Sequence, residues 1–335
     1  MLKRLLILLL IPFVLCACTK SANEEITFAS WGSITEVSII ENVIKDFEQK
    51  NPDIKVNFIH IPQNYFQKIH LLFASNQAPD VIFINNLYLP LYAGKLEPLN
   101  NLIDENNFYA ESLKAMSYKN NLYAIPRDLS NLVFYRNKEL VQKTPQTPSE
   151  LIDVIKDVKP YGISYERDIY FMLPYVLTFN EDIYHPRNSL KFYRSLEGKY
   201  APTPDKIGSS TQAQMFLDKK IGLYLSGRWM YPKIKEKANF DWDVITFCGI
   251  VPLDSSGWAI SNSSKHKKSA EKFVQFLASK ENIEYFNTTG LIVPARKDVK
   301  VDNPIFIEAI KKSKALTIDK NYKKITDKMN KELFH

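Results

Sequence analysis

ITFASWGSITEVSIIENVIKDFEQKNPDIKVNF, residues 26–58, and ASNQAPDVIFI, residues 74–84, decide the fold between them. Residues 26–30 alternate like a strand, and Trp31, Gly32 and Ser33 make a turn. Val37, Ile40, Ile44 and Phe47 then recur at helical spacing until Asn51 and Pro52 stop the helix. Ile54, Val56 and Phe58 alternate with Lys55 and Asn57, which predicts a second strand. A helix is expected over 64–76, and Ala78 and Pro79 lead into the short apolar run 80–84. Strand, helix, strand, helix, strand is the pattern of a parallel sheet covered by helices. The opening of the chain is therefore read as α/β.

Upstream of this segment, MLKRLLILLLIPFVL (residues 1–15) has the layout of an export signal: basic Lys3 and Arg4, an apolar run, and the small residue Ala17 before Cys18. The run is shorter than the roughly 20 residues a spanning helix needs, and polar residues 19–25 follow it without a stop-transfer cluster. Leu15, Cys16, Ala17 and Cys18 resemble the lipobox of bacterial lipoproteins, with Cys16 an unusual second letter. That resemblance implies a signal peptide over 1–17, lipid on Cys18, a polar tether over 18–25, and a protein held outside the cytoplasm on the bacterial cell membrane.

Removal of 17 residues leaves 318, enough for two lobes with real cores. With Cys18 lipidated, Cys248 has no cysteine to pair with, and its apolar neighbours make it a buried small hydrophobe. Loss of Lys3 and Arg4 lowers the net charge from +7 to +5, and the remaining cations are interleaved with acids. This is a solvated surface, and no nucleic-acid partner is expected. Further along, Thr147, Pro148, Ser149 and Glu150 form a capping series that opens a helix over 147–158, and another helix is expected over 267–281. There are no internal repeats, and no flexible linker separates the lobes.

Several ordered segments resemble the extracytoplasmic solute-binding proteins of ABC importers, in the sugar-binding branch that includes maltose-binding protein. They are FASWG (28–32), FEQKNPDIKV (47–56), ASNQAPDVI (74–82), GKLEPL (94–99), LYAIP (122–126), FYRNKEL (134–140), LSGRW (225–229), DWDV (241–244), GWAIS (257–261) and IVPAR (292–296). The resemblance implies a two-lobed periplasmic-binding-protein fold of type II, each lobe a sheet flanked by helices, with hinge closure around a ligand in the cleft. It implies an N-terminal lobe of 24–128 and 250–298 and a C-terminal lobe of 129–249 and 299–335. The expected partners are a carbohydrate, most simply an oligosaccharide, and the membrane subunits of a permease, with the receptor itself a monomer.

A sugar offers apolar ring faces and a rim of hydroxyls, so its site needs flat aromatic surfaces and directional polar groups. Trp31 follows a strand end, where ligands of open α/β sheets bind; Asn85 and Asn86 follow the strand 80–84 in the same way. Packing and turn roles are the alternatives for these three. Asp80 is expected to brace its turn. Arg127 and Asp128 stand where the chain enters the cleft, either gripping hydroxyls or pairing with each other. The resemblance, with Pro174 as fixed point, places Asp168 and Tyr170 at a carboxylate and a stacking aromatic. It places Trp229 on the turn that presents an indole. Trp258 is a further candidate contact, and Trp242 is expected to be structural. The chain is shorter than many relatives between Pro160 and Thr211, in the lobe that often tunes specificity in the family, so the resemblance does not name the sugar.

The five histidines are isolated, and no nucleophile elbow, phosphate loop or dinucleotide fingerprint occurs, so no catalytic residue, metal or cofactor is predicted. Two alternatives stay open: a ligand that is a polyol phosphate or acidic sugar, and a surface or sensory lipoprotein on the same fold.

Overall fold

The computed structural model describes residues 24–316 and 318–334; the predicted signal peptide and Cys18 lie outside them. The strands are β1 (Glu24–Ser30), β2 (Ile54–His60), β3 (Val81–Asn85), β4 (Ser117–Tyr118), β5 (Asn121–Leu122), β6 (Ile125–Ser130), β7 (Leu132–Asn137), β8 (Tyr161–Ile163), β9 (Ile221–Gly227), β10 (Trp242–Thr246), β11 (Val251–Ile260), β12 (Val293–Pro294) and β13 (Ser313–Ala315). One sheet runs β12-β6-β11-β3-β1-β2, with β13 on the end of β11; a second runs β10-β7-β9-β8; β4 and β5 form a small hairpin.

The opening stretch folds as its pattern requires. β1 pairs in parallel with β2 and β3. The helix Ile34–Lys50 begins with a reciprocal cap: the Glu36 N–H donates to the Ser33 hydroxyl, and the Ser33 N–H donates to the Glu36 carboxylate. Its face of Ile40, Val43, Ile44 and Phe47 is buried. Asp80 braces its turn by accepting from the Thr27 N–H, the Thr27 hydroxyl and the Ser264 hydroxyl. The parallel reading fails beyond β3. Returning strand β11 is antiparallel to both β3 and β6, so the sheet is mixed.

The helix expected over 267–281 is two, Lys267–Leu277 and Lys280–Asn287. The Ser279 hydroxyl accepts from the Asn282 N–H to start the second, while the Asn282 amide donates to the Phe276 carbonyl and closes the first. Thr147 caps the helix Pro148–Ile155 as its sequence indicates.

The chain passes between sheets with little slack. β6 ends at Ser130 and β7 begins at Leu132, while β10 returns to β11 within four residues. Alternation along β7 sends Leu132 and Phe134 into one core and Val133 and Tyr135 into another, so the second sheet is packed on both faces. A separate core surrounds the first sheet, from Ile26 and Phe28 to Phe273 and Phe286. No helix among the described residues is long and apolar enough to cross a membrane.

Candidate functional site: a cleft between two indoles

Strand register assembles the polar floor. Asn85 on β3 pairs with Ser256 on β11, which pairs with Asp128 on β6, and Asp254 pairs with Ser130. Residues two apart on a strand share a face, so Asp128 and Ser130 stand beside Asp254 and Ser256. The register shifts between Ser256 and Gly257, leaving Arg127 as the extra residue of a bulge, and this turns Arg127 into the same space as Asp128. Gly257 is required there: a methyl group would fall inside 3.0 Å of the Ile125 carbonyl. These residues floor a cleft of about 400 Å³.

Two indoles flank it, one from each sheet. Trp31 follows β1 and is propped by Phe83 at 4.5 Å, Tyr65 at 4.9 Å and Phe66 at 5.4 Å between ring centroids. Trp229 follows β9 on the short 3₁₀ turn Arg228–Met230 and remains 38% exposed. Its ring lies so close to Gly227 that a Cβ there would come within 3.0 Å of three indole carbons. The Gly227 carbonyl is held by the Tyr135 hydroxyl at 2.8 Å. Backbone thus supports the indole, which stays partly exposed at the cleft.

Arg127 is enclosed. Its Nε donates to Asp128 Oδ2 at 2.7 Å, its Nη2 lies 3.3 Å from Glu36 Oε1, and its guanidinium lies 4.4 Å from the Phe83 centroid and 5.3 Å from that of Phe286. Burial raises the pKa of Asp128, opposed by Arg127. Asp254 has no such cation: burial lifts its carboxyl to about 6, with Asp128 adding like-charge repulsion. The neighbouring Tyr170 hydroxyl partly offsets the effect of burial on Asp254, although neither that hydroxyl nor Asp254 Oδ1 makes a hydrogen bond of normal geometry among the described residues.

The sequence candidates divide accordingly. Trp31, Asn85, Arg127, Asp128 and Trp229 meet at this cleft. Tyr170 neighbours Asp254 but is not among the residues that line the cleft. Asp168 is instead the N-cap of the helix Ile169–Thr178: it accepts from the Tyr170 N–H and from the Asn330 amide. Asn86, 4% exposed, accepts from the Ser255 N–H and donates to the Leu253 carbonyl, tying β3 to β11. Trp258 is 1% exposed and packs between Phe83 and Phe286, which close it off from the cleft. Trp242, read as structural, packs on Tyr135 and Tyr231. Glu36, Asp254 and Ser256 had not been expected. The available signals were the capping box from Ser33 to Glu36 and an acidic residue two positions from Ser256 within a strand otherwise mostly buried.

A larger cavity of about 570 Å³ lies where Phe66 and Tyr88 meet the C-terminal helix Tyr322–Phe334. It offers poor stacking surfaces, because Tyr88 has Phe66 on one side at 3.5 Å and the Lys323 ammonium at 5.5 Å. The smaller cleft, with an available indole face and unpaired acceptors, suits a polyhydroxylated ligand better.

Two α/β sheets joined by short crossings, with a polar cleft between paired indoles, define a two-lobed solute-binding fold. The profile of the bacterial extracellular solute-binding proteins matches residues 42–316, and the chain belongs to that family. It is 24% identical to the multiple sugar-binding protein of Streptococcus mutans, covering 92% of this chain and 85% of that one. It is 20% identical to the maltotriose-binding protein of Pyrococcus abyssi, covering 74% of this chain but only 61% of that relative. The fold is similar to that of an ABC substrate-binding protein from Listeria monocytogenes in complex with cycloalternan: TM-score 0.80, 22% identity, 93% of this chain and 92% of that one.

Proposed function

We propose that this protein is the receptor of an ABC importer, capturing a carbohydrate, most simply an oligosaccharide, by closure of its lobes and passing it to the membrane subunits of a permease. The observation that carries the reading is that Trp31 and Trp229, one from each sheet, line the same cleft as Asn85, Asp128, Asp254 and Ser256. Indoles supply flat apolar faces and the floor supplies directional polar groups, the two things a sugar requires. The sugars named for the relatives and for the Listeria complex support it. The lobes of the proposal are 24–128 with 250–298 and 129–249 with 299–335. Lipid on Cys18 would keep a monomeric receptor beside its permease, and no catalytic step is assigned to it.

The test is a thermal-shift and calorimetric screen of the purified protein against mono- and oligosaccharides. A ligand held between lobes should raise the melting temperature in a concentration-dependent way. Absence of any carbohydrate response across the panel, from a protein that unfolds cooperatively, would refute the reading.

A further inference from the structure

The cleft carries an imbalance of charge that the carbohydrate reading alone does not use. Glu36, Asp128 and Asp254 contribute three carboxylates against the single guanidinium of Arg127. That guanidinium is committed: Asp128 and Glu36 hold its edges, and Phe83 and Phe286 lie within 5.3 Å of it. Asp254 makes no ion pair among the described residues. The groups around it are the phenols of Tyr170 and Tyr322 and the carboxylate of Asp128, none of them a cation. Across the strand pair, the Ser130 hydroxyl is likewise buried without a partner. The carboxylates are not arranged to hold a metal ion, since no such cluster occurs among the described residues.

We infer that Asp254 sets the charge class of the ligand: the cleft takes a sugar that presents a hydrogen-bond donor and carries no negative charge, and it excludes phosphorylated and uronic sugars. The inference rests on the carbohydrate reading and narrows it. A donor, whether a hydroxyl or a protonated amine, completes the unpaired Asp254 oxygen with a charge-assisted hydrogen bond. An anion meets an uncompensated carboxylate in a partly dry site and finds the one cation already occupied. Discrimination of this kind works through repulsion as well as attraction, and a buried acceptor left unmatched penalises the wrong ligand strongly.

Calorimetric titration of the full chain with matched trisaccharides distinguishes the possibilities. The probes are maltotriose and tri-N-acetylchitotriose as uncharged sugars, the glucosamine trimer as the amine, and trigalacturonate and phosphorylated maltotriose as anions. We expect binding only among the uncharged and amine probes, with any anionic counterpart at least about tenfold weaker. Preference for the amine over its acetylated counterpart would identify an ammonium donor; equal or weaker binding of the amine would identify a hydroxyl. In Asp254→Asn, which keeps the shape and removes the charge, the gap against anions should narrow about tenfold while cooperative unfolding persists. Wild-type binding of an anionic sugar as tight as its uncharged counterpart, or an unchanged gap in a folded Asp254→Asn, overturns the inference and leaves the carbohydrate reading standing. Failure of every probe and of the wider carbohydrate screen removes that reading, and the inference with it.

Discussion

Gly227→Ala separates the Trp229 platform from general damage to the fold. Gly227 ends β9 with φ of −95° and ψ of 179°, an extended conformation that alanine adopts freely, so the backbone has no reason to move. The added methyl group would nevertheless lie within 3.0 Å of Cζ3, Cε3 and Cη2 of Trp229, against about 3.5–4.0 Å for a normal carbon contact. The indole is the part able to yield, being 38% exposed, and it yields by swinging off its backbone support into the cleft or out of it. Either movement removes the flat surface proposed to meet the ligand. An aromatic stacking surface is worth on the order of 1.5 kcal/mol, about a tenfold change in dissociation constant. We therefore expect Gly227→Ala to bind its sugar at least about tenfold more weakly, with a chemical-denaturation midpoint close to wild type. The two measurements, calorimetric affinity and denaturation, must be made on the same preparation. Unchanged affinity would show that the ligand does not use this face of Trp229, and a large fall in stability would show that the indole is a structural plug.

Trp229→Ala should likewise weaken binding at least about tenfold, whereas Trp258→Ala should cost about 3–5 kcal/mol of stability in denaturant, because it empties a fully buried site between Phe83 and Phe286. Arg127→Ala strands the buried carboxylate of Asp128 and removes a partner of Glu36, and should destabilise the fold by about 3–5 kcal/mol; affinity lost without that destabilisation would make Arg127 a ligand contact instead of a brace. Burial lifts Asp254 from 3.8 to about 6, so the folded state holds that proton more tightly than the unfolded chain, and its ionisation costs stability as pH rises through that window, by at most about 3 kcal/mol. Asp254→Asn should therefore gain on wild type between pH 4 and pH 7 in equilibrium denaturation, and an equal difference at both pH values would contradict the assigned burial.

What the sequence disclosed follows from how far each signal reaches. The helix Ile34–Lys50 and the parallel strands around it rest on local periodicity and caps, so 26–84 could be read without knowing where the rest of the chain lay. The antiparallel return of β11 is a long-range pairing, and nothing within 251–260 announces its direction. Trp31 was visible because it follows a strand end, and Trp229 because its turn resembles the family's. Trp258 looks equivalent in one dimension, but it lies opposite Phe83, two residues further along β11 than Ser256, where Phe83 and Phe286 cover it. Asn86 differs from Asn85 by true alternation, since a single step along the chain exchanges a cleft amide for one that ties two strands. Asp254 was invisible for the converse reason. An acid in a strand ordinarily points to water, and only the approach of Asp128 from β6 and of Tyr170 and Tyr322 from distant helices makes this one a buried, unpaired acceptor. The aromatic surfaces are therefore legible from short segments, whereas the charge proposed to select the ligand arises only when three distant segments fold against β11.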